Sequence, residues 1–429
     1  MLSDRNIPLF VAFRVFFNAR WYYPVLTILF LDLGLTLEQY ALLNVAWAAS
    51  IVCLEVPLGA IADQMGRRRM VVLAAGLMVA EMLCFAFAPT GSSWLFPLLL
   101  LNRVLSGAAE ACASGADESL VYDSLAQDGR SKEWPTVLAR VMRWQSAAFF
   151  VTMLIGAAVY DSELMSRILA VVGASGVSPQ TTVRWPLYLT LLNAAGAFVA
   201  AIAMREPARA TPAAAFSVLA TWRQSLTAAR WTFSAPVVLF ALLAGVSIDC
   251  VIRLFLTMCS NYYRLISLPE AFYGAIASAF AVLGFFTPGV SQWLVETRSM
   301  AASFAVAAAL AMSGLLFAAL FVPFWGLLAV VPLGVGMSMV PFFLSHYLNV
   351  SITDSSMRAT VLSFKGVCIN LAYGSIGLLF AGYTRWRQDA GTPDSLFIEA
   401  MRGIPLVFAV LCAALVVLAY RSKATRVRP

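Results

Sequence analysis

Runs of about twenty apolar residues, separated by short polar connections, recur along the whole chain. A helix rises roughly 1.5 Å per residue and the hydrocarbon layer is about 30 Å thick, so each run is long enough to cross a membrane. The pattern predicts spans at 7–31, 39–63, 70–88, 94–116, 138–160 and 185–204, then at 235–260, 270–294, 300–321, 323–349, 358–382 and 398–420. Breaks come from turn chemistry at Pro89-Thr90-Gly91, from the triple Arg67-Arg68-Arg69, and from the polar run Gln127 to Trp134. The expected fold class is an all-α membrane protein with twelve transmembrane helices in two six-helix halves.

Composition agrees with this reading. Of 429 residues, 61% are hydrophobic and 12% charged, and the mean hydropathy is +0.83, far outside the range of soluble domains. The first apolar stretch carries Arg14 and Arg20 and has no small-residue cleavage site after it, so it reads as a retained span. Seven cysteines all lie in apolar segments without CxxC or Cys/His spacing, as small hydrophobes in packed helices do.

A net charge of +7 invites thoughts of nucleic acid until the charges are placed. With a cytoplasmic N-terminus, eighteen Lys and Arg residues fall in inner connections and tails, and six in outer ones. The positive-inside rule then puts both termini in the cytoplasm, and topology accounts for the excess without nucleic acid. The longest inner connection, 205–234, pairs an Ala/Pro-rich start with an apolar stretch bearing Arg223 and Arg230, the pattern of an interfacial amphipathic helix. It separates an N-terminal half, 1–204, from a C-terminal half, 235–429. Two halves of this kind are how many secondary transporters are built.

Between spans two and three stands GAIADQMGRRR, Gly59 to Arg69. Gly59 allows close helix approach, Gly66 supplies a turn, and Asp63 and Arg67 can form charge-assisted bonds. The spacing resembles the signature loop of the major facilitator superfamily. A degenerate copy, GVSQWLVETRSM from Gly289 to Met300, occupies the equivalent place in the second half, with Trp293 where Asp63 stands in the first. NRVLSGAAEA resembles the fourth-span signature of that superfamily through Arg103 and Gly107. LEVPLGAIAD and SGADESLVYDSL look like stretches of its bacterial exporter-like members, whereas span five lacks the Gly-Pro pair of many drug/proton antiporters. The resemblance implies alternating-access transport in a bacterial cytoplasmic membrane. It also implies a cytoplasmic gate of Gly59, Asp63, Gly66, Arg67 and Arg68, in which one of Asp117, Glu118 and Asp123 pairs with the arginines.

Nine ionisable residues lie away from the predicted ends of their spans: Arg14, Arg20, Glu55, Glu81, Arg103, Glu110, Asp249, Arg253 and Lys365. At roughly 2.5 to 3.5 kcal/mol each, nine lipid-facing charges would cost about 25 kcal/mol, more than the roughly 5 to 15 kcal/mol that stabilises a fold. Most must therefore face a cavity or each other. Glu110 lies two turns after Arg103 on one helix face and is either a proton carrier or the partner of a cation. Asp249 and Arg253 are spaced for an intrahelical pair.

In the family, spans one, four, seven and ten surround the central cavity. This makes Arg20, Arg103 and Arg253 a candidate cationic site for an anionic substrate, with Asn18, Lys365 and Asn370 as further substrate-binding candidates and Tyr22 and Tyr373 nearby. Glu110, Asp249, Glu81 and Glu55 are the proton-coupling candidates. His346, the single histidine, reads as a packed or interfacial residue.

No GxxxxGK[ST] loop, metal-ligand cluster or hydrolase constellation appears, so neither ATP-driven transport nor an enzyme is expected, and no cofactor beyond a proton gradient. The expected function is proton-coupled export of a small amphipathic or anionic compound by a monomer in the bilayer. Uptake of an organic anion or metal-chelate, and lipid translocation, stand as alternatives.

Overall fold

The computed structural model describes residues 1–171, 173, 176–207, 230–351 and 355–422; for residues 56, 59–64, 281, 282, 284, 285, 351, 355–360, 362, 363 and 390 the backbone alone is described. The connection expected to hold an amphipathic helix lies largely outside these residues, as does the side chain of Asp63, and Gly59 is described by its backbone alone. The described residues form helices and turns without a strand.

In chain order the helices are α1 (Leu2–Asn18), α2 (Leu26–Asp32), α3 (Leu37–Met65), α4 (Arg67–Ala86), α5 (Leu95–Ala113), α6 (Ala116–Gln127), α7 (Trp134–Tyr160), α8 (Ser162–Val171), α9 (Pro179–Thr182) and α10 (Trp185–Ala203). After the long connection come α11 (Pro236–Thr257), α12 (Cys259–Leu265), α13 (Ala271–Thr297), α14 (Met300–Ala318), α15 (Val330–Ser351), α16 (Ser355–Trp386) and α17 (Pro393–Arg421).

Ten helical segments among the described residues are long and apolar enough to cross a membrane. The expected spans outside these ten are the first, divided into α1 and α2, and the eighth, represented by the shorter apolar stretch Ala271–Phe280. Two features depart from the apolar pattern. The first span is interrupted rather than continuous, and the connection after α7 contains α8, whose ten residues are too few to register as a span. The fourth span is continuous to Ala113 and is followed, after a break at Ser114-Gly115, by α6.

Two compact units emerge. One comprises Met1–Leu35, Ala46–Ala220 and Pro269–Ser278; the other comprises Thr36–Val45, Thr221–Leu268 and Ala279–Pro429. Each therefore includes a helix tip that belongs by sequence to the opposite half.

In the first unit, α4 packs most extensively on α5 and α10, and α1 on α10, α7 and α6. At the end that holds the N-terminus, Ser3 donates twice to the Asp128 carboxylate, at 2.7 and 2.6 Å. Asn6, fully buried, donates to Ser124 and the Arg205 carbonyl and accepts from the Arg205 amide. At the opposite end Arg184 donates to the carbonyl of Ala86, the last residue of α4, at 2.6 Å and to that of Ala88, just beyond the helix, at 2.7 Å, a cationic cap on a helix C-terminus.

In the second unit α11 packs on α15 and α16, and α14 on α15. An aromatic cluster of Phe240, Phe304, Phe343 and Tyr347 fills its core.

Candidate functional site

The first span is broken between Ala19 and Tyr22, and the break places a charge. Unwinding frees backbone groups that lipid cannot satisfy, so the neighbours must do so. Asn193 of α10 donates to the Ala19 carbonyl at 2.8 Å, and the Trp21 amide donates to Thr190 at 3.1 Å. Gly156 of α7 makes room, since a Cβ there would stand 1.9 Å from the Trp21 carbonyl oxygen. In this way Arg20 is held on irregular backbone and turned inward. It forms an ion pair with Glu81 of α4, both residues being 1% exposed, and also lies 3.4 Å from the Tyr22 hydroxyl.

The surroundings of the pair are polar and incompletely matched. Asn102 of α5 donates to the Glu81 carbonyl at 2.8 Å. Among the described residues Arg20 Nε, Glu81 Oε2 and Asn102 Oδ1 have no hydrogen-bond partner, nor do Nε and Nη2 of Arg103, which is 7% exposed with its guanidinium 4.7 Å from the Phe30 ring centroid. Gly107, one turn further on, brings α5 against α3, where a Cβ would meet Ser50 at 2.7 Å.

Glu110 follows on the same face, half-buried, with no ion pair or hydrogen bond to its carboxylate among the described residues. It lines a polar cavity of about 290 Å³ together with Arg14, Asn18, Ser114, Asp117 and Glu118. This cavity sits at the interruption between α5 and α6. Arg14 closes one side through ion pairs to the buried Asp117, at 2.7 Å, and to Glu118. Asp117 and Glu118 are thus engaged by Arg14 of α1, while the arginines after Gly66 find other partners.

Gly66 has φ +104, a conformation that side chains resist, and it turns the chain from α3 into α4. Beyond it, Arg67 forms an ion pair with Asp123 of α6 and donates to the Ser119 carbonyl at 2.9 Å. The backbone amides of Arg67 and Arg68 both donate to the Glu206 carboxylate, at 2.9 and 2.7 Å, an acid capping a helix N-terminus. The Arg68 guanidinium reaches the Met204 and Ile202 carbonyls at the end of α10, at 2.7 Å each. Replacing Arg67 by alanine removes a partly exposed pair, so the expected stability loss is at most about 1 kcal/mol. Transport is expected to fall much further; a variant that transports at the wild-type rate would show that the Arg67–Asp123 pair is no part of a gate.

Nearby, Arg130 donates to Asp4 and to Glu133. The Asp4 carboxyl is held below the usual carboxylate range by its bond from Arg130, and that of Asp128 by its bonds from Ser3.

In the second unit Arg253 donates to both oxygens of the buried Asp249, at 2.9 and 2.8 Å, and lies 5.7 Å from the Tyr373 ring centroid. The Tyr373 hydroxyl meets that of Thr257 at 3.1 Å. Lys365 of α16 is half-buried and has no ion pair among the described residues. Asn370 and Asn18 each donate to a carbonyl of their own helix, Gly366 and Arg14. Glu55 is half-buried on α3. His346 packs edge-on against Tyr347, ring centroids 5.0 Å apart.

Charge spacing in the sequence points to Arg20, Glu81 and Glu110, but the residues that position them carry weaker signals. Asn102, Thr190 and Asn193 are polar interruptions in apolar runs, a legible sign of buried hydrogen bonding. Glu206, beside Pro207, reads as no more than a turn until α4 is seen to start beside it.

Solved structures share this architecture. A crystal structure of the nucleoside transporter NupG matches with a TM-score of 0.70 and 13% identity, covering 99% of this chain and 98% of that one. A bacterial homolog of the human lysosomal transporter Spinster, inward-facing and unoccupied, matches with a TM-score of 0.66 and 15% identity over 99% of this chain and 97% of that one. A D-xylose-proton symporter matches with a TM-score of 0.63 and 12% identity over 95% and 96%. At these identities the likeness carries the fold alone. No curated protein sequence matches the chain. The family model of the Major Facilitator Superfamily, however, matches residues 9–377, and the chain belongs to that superfamily of membrane transporters.

Proposed function

We propose that this chain is a proton-coupled secondary transporter of a small organic solute bearing an anionic group, working by alternating access in a bacterial cytoplasmic membrane. The observation that carries the reading is Glu110. Among the acids expected inside spans, Glu81 and Asp249 are each committed to an arginine. Glu110 has no such partner and borders a cavity, which suits an acid that must gain and lose a proton. Within the first unit Arg103, with two unpartnered nitrogens, supplies positive charge that no carboxylate cancels among the described residues, which favours an anionic solute; Lys365 is a second such cation, within the second unit. Export is the favoured direction, on the likeness of LEVPLGAIAD and SGADESLVYDSL to exporter-like members; uptake would suit the same cations.

A thermal-shift screen against metabolites and antibiotics identifies a ligand first, because whatever binds the native state raises its apparent stability. That ligand is then followed in everted vesicles with an acid interior, where accumulation signifies antiport and release signifies symport. Glu110→Gln is expected to flatten the pH profile of transport. An unchanged profile would transfer the proton to Glu55, which is likewise half-buried, and end this assignment for Glu110.

A further inference from the structure

At the end of the first unit that holds the N-terminus, most arginines are already engaged by protein. Arg5 donates to the Ala203 carbonyl at 3.0 Å, Arg14 binds Asp117 and Glu118, Arg67 binds Asp123, Arg68 binds two carbonyls, and Arg130 binds Asp4 and Glu133. Arg69, Lys132, Arg140, Arg143 and Arg205 differ. All five are exposed and none has a carboxylate partner for its side chain among the described residues; Arg143 reaches only its own helix, at the Ala139 carbonyl 3.5 Å away.

The placement of Arg140 and Arg143 on α7 is ordered. Arg140, Arg143, Trp144, Ala147, Val151 and Ile155 recur at intervals of three and four residues, so they form one stripe along the helix. Trp144, Val151 and Ile155 are exposed large hydrophobics. The stripe thus runs from apolar residues through a tryptophan to two arginines.

Length fixes the depth. The 27 residues of α7 extend about 40 Å, some 10 Å more than the hydrocarbon layer. At its far end Tyr160 is the last helical residue, and Asp161 begins α8 by accepting from the Glu163 and Leu164 amides at 3.0 Å. Counting about twenty residues back from Tyr160 reaches Val141. Arg140 and Arg143 therefore stand where headgroups begin, and Trp144 stands at the boundary that tryptophan favours.

We infer that this stripe is a binding site for an anionic phospholipid of the leaflet on the N-terminal side. Arg140 and Arg143 take the headgroup phosphate, Lys132 adds positive charge below it, and Val151 and Ile155 meet the acyl chain. Guanidinium groups suit phosphate because their donors match two of its oxygens at once. A protein segment would have to cover the apolar upper stripe at bilayer depth, whereas a lipid matches both chemistries along the helix.

The test titrates phosphatidylglycerol into the detergent-purified full chain and measures binding by native mass spectrometry. Arg140→Gln/Arg143→Gln is expected to bind about thirtyfold more weakly, two cations at about 1 kcal/mol each. Arg140→Lys/Arg143→Lys is expected to retain most of the affinity, and Arg69→Gln, which removes an exposed cation on α4, all of it. Unfolding temperatures in phosphatidylcholine nanodiscs are expected to coincide for all four proteins, since these side chains are exposed. The inference is overturned if the glutamine pair binds like wild type, if Arg69→Gln loses as much affinity, or if soluble glycerol phosphate competes as well as the lipid.

Discussion

Glu81→Gln is expected to cost the protein on the order of 3 to 5 kcal/mol, because it leaves the Arg20 guanidinium buried without a counter-charge. Both partners are almost wholly enclosed, so water cannot take the place of the missing carboxylate. Arg20→Met should cost a comparable amount by stranding Glu81. The informative variant is the pair, Arg20→Met/Glu81→Leu, since replacing a buried ion pair by apolar side chains of similar volume is often neutral or stabilising. Unfolding temperatures of the two single variants and the double variant test the coupling directly. If the double variant is as unstable as either single one, the pairing does not account for the loss. If it folds well but no longer transports, the pair has a role in the transport cycle beyond holding the break in span one.

The second large effect is expected at Gly156. A side chain there has no space, because the Trp21 carbonyl occupies the position, and backbone yields less readily than a flexible side chain. Gly156→Val is expected to lower stability by about 3 kcal/mol or more, at the upper end of overpacking costs. One turn earlier, the Met153 carbonyl would lie 2.1 Å from a Cβ added at Gly274 of α13, so α7 is approached closely by backbone at two neighbouring places. Gly403→Ala is the control, since nothing lies within 4 Å of a Cβ there and alanine improves helix propensity. Thermal unfolding of both variants in the same detergent decides the matter: a mild effect at Gly156 would mean that span one can relax away from α7.

Much of this architecture was legible in the chain because membrane helices must be long and apolar, and their connections cannot be. Gly66 and the arginines after it were legible for a related reason, since a turn and a charge cluster at fixed spacing leave few other readings. Two things were hidden. Continuous hydropathy conceals that span one unwinds at Arg20, although Pro24, which has no amide to give the Arg20 carbonyl, marks the place; what stays hidden is that the opened backbone is held by Asn193, Thr190 and Gly156, far along the chain. Partner choice was hidden wherever the partner lies on another helix: the Asp249–Arg253 pair is legible from its four-residue spacing, but nothing local says that Glu81 neutralises Arg20 while Arg103 is left without a carboxylate among the described residues. Nor did spacing foretell that Asp117 would serve Arg14 while Asp123 serves Arg67, because less than two helical turns along α6 decide which neighbour each acid meets.

The broken first span also sets an order of assembly. Arg20 is made 61 residues before Glu81, and Arg14 104 residues before Glu118. The side chains that close the open backbone at Trp21 and Ala19 lie 169 and 174 residues downstream. At roughly 5 to 20 residues per second, about 10 to 35 s separate the synthesis of span one from that of the helix that completes it. During that interval span one carries two unmatched charges and cannot take its final form, so it is finished only once a helix made long after it has arrived.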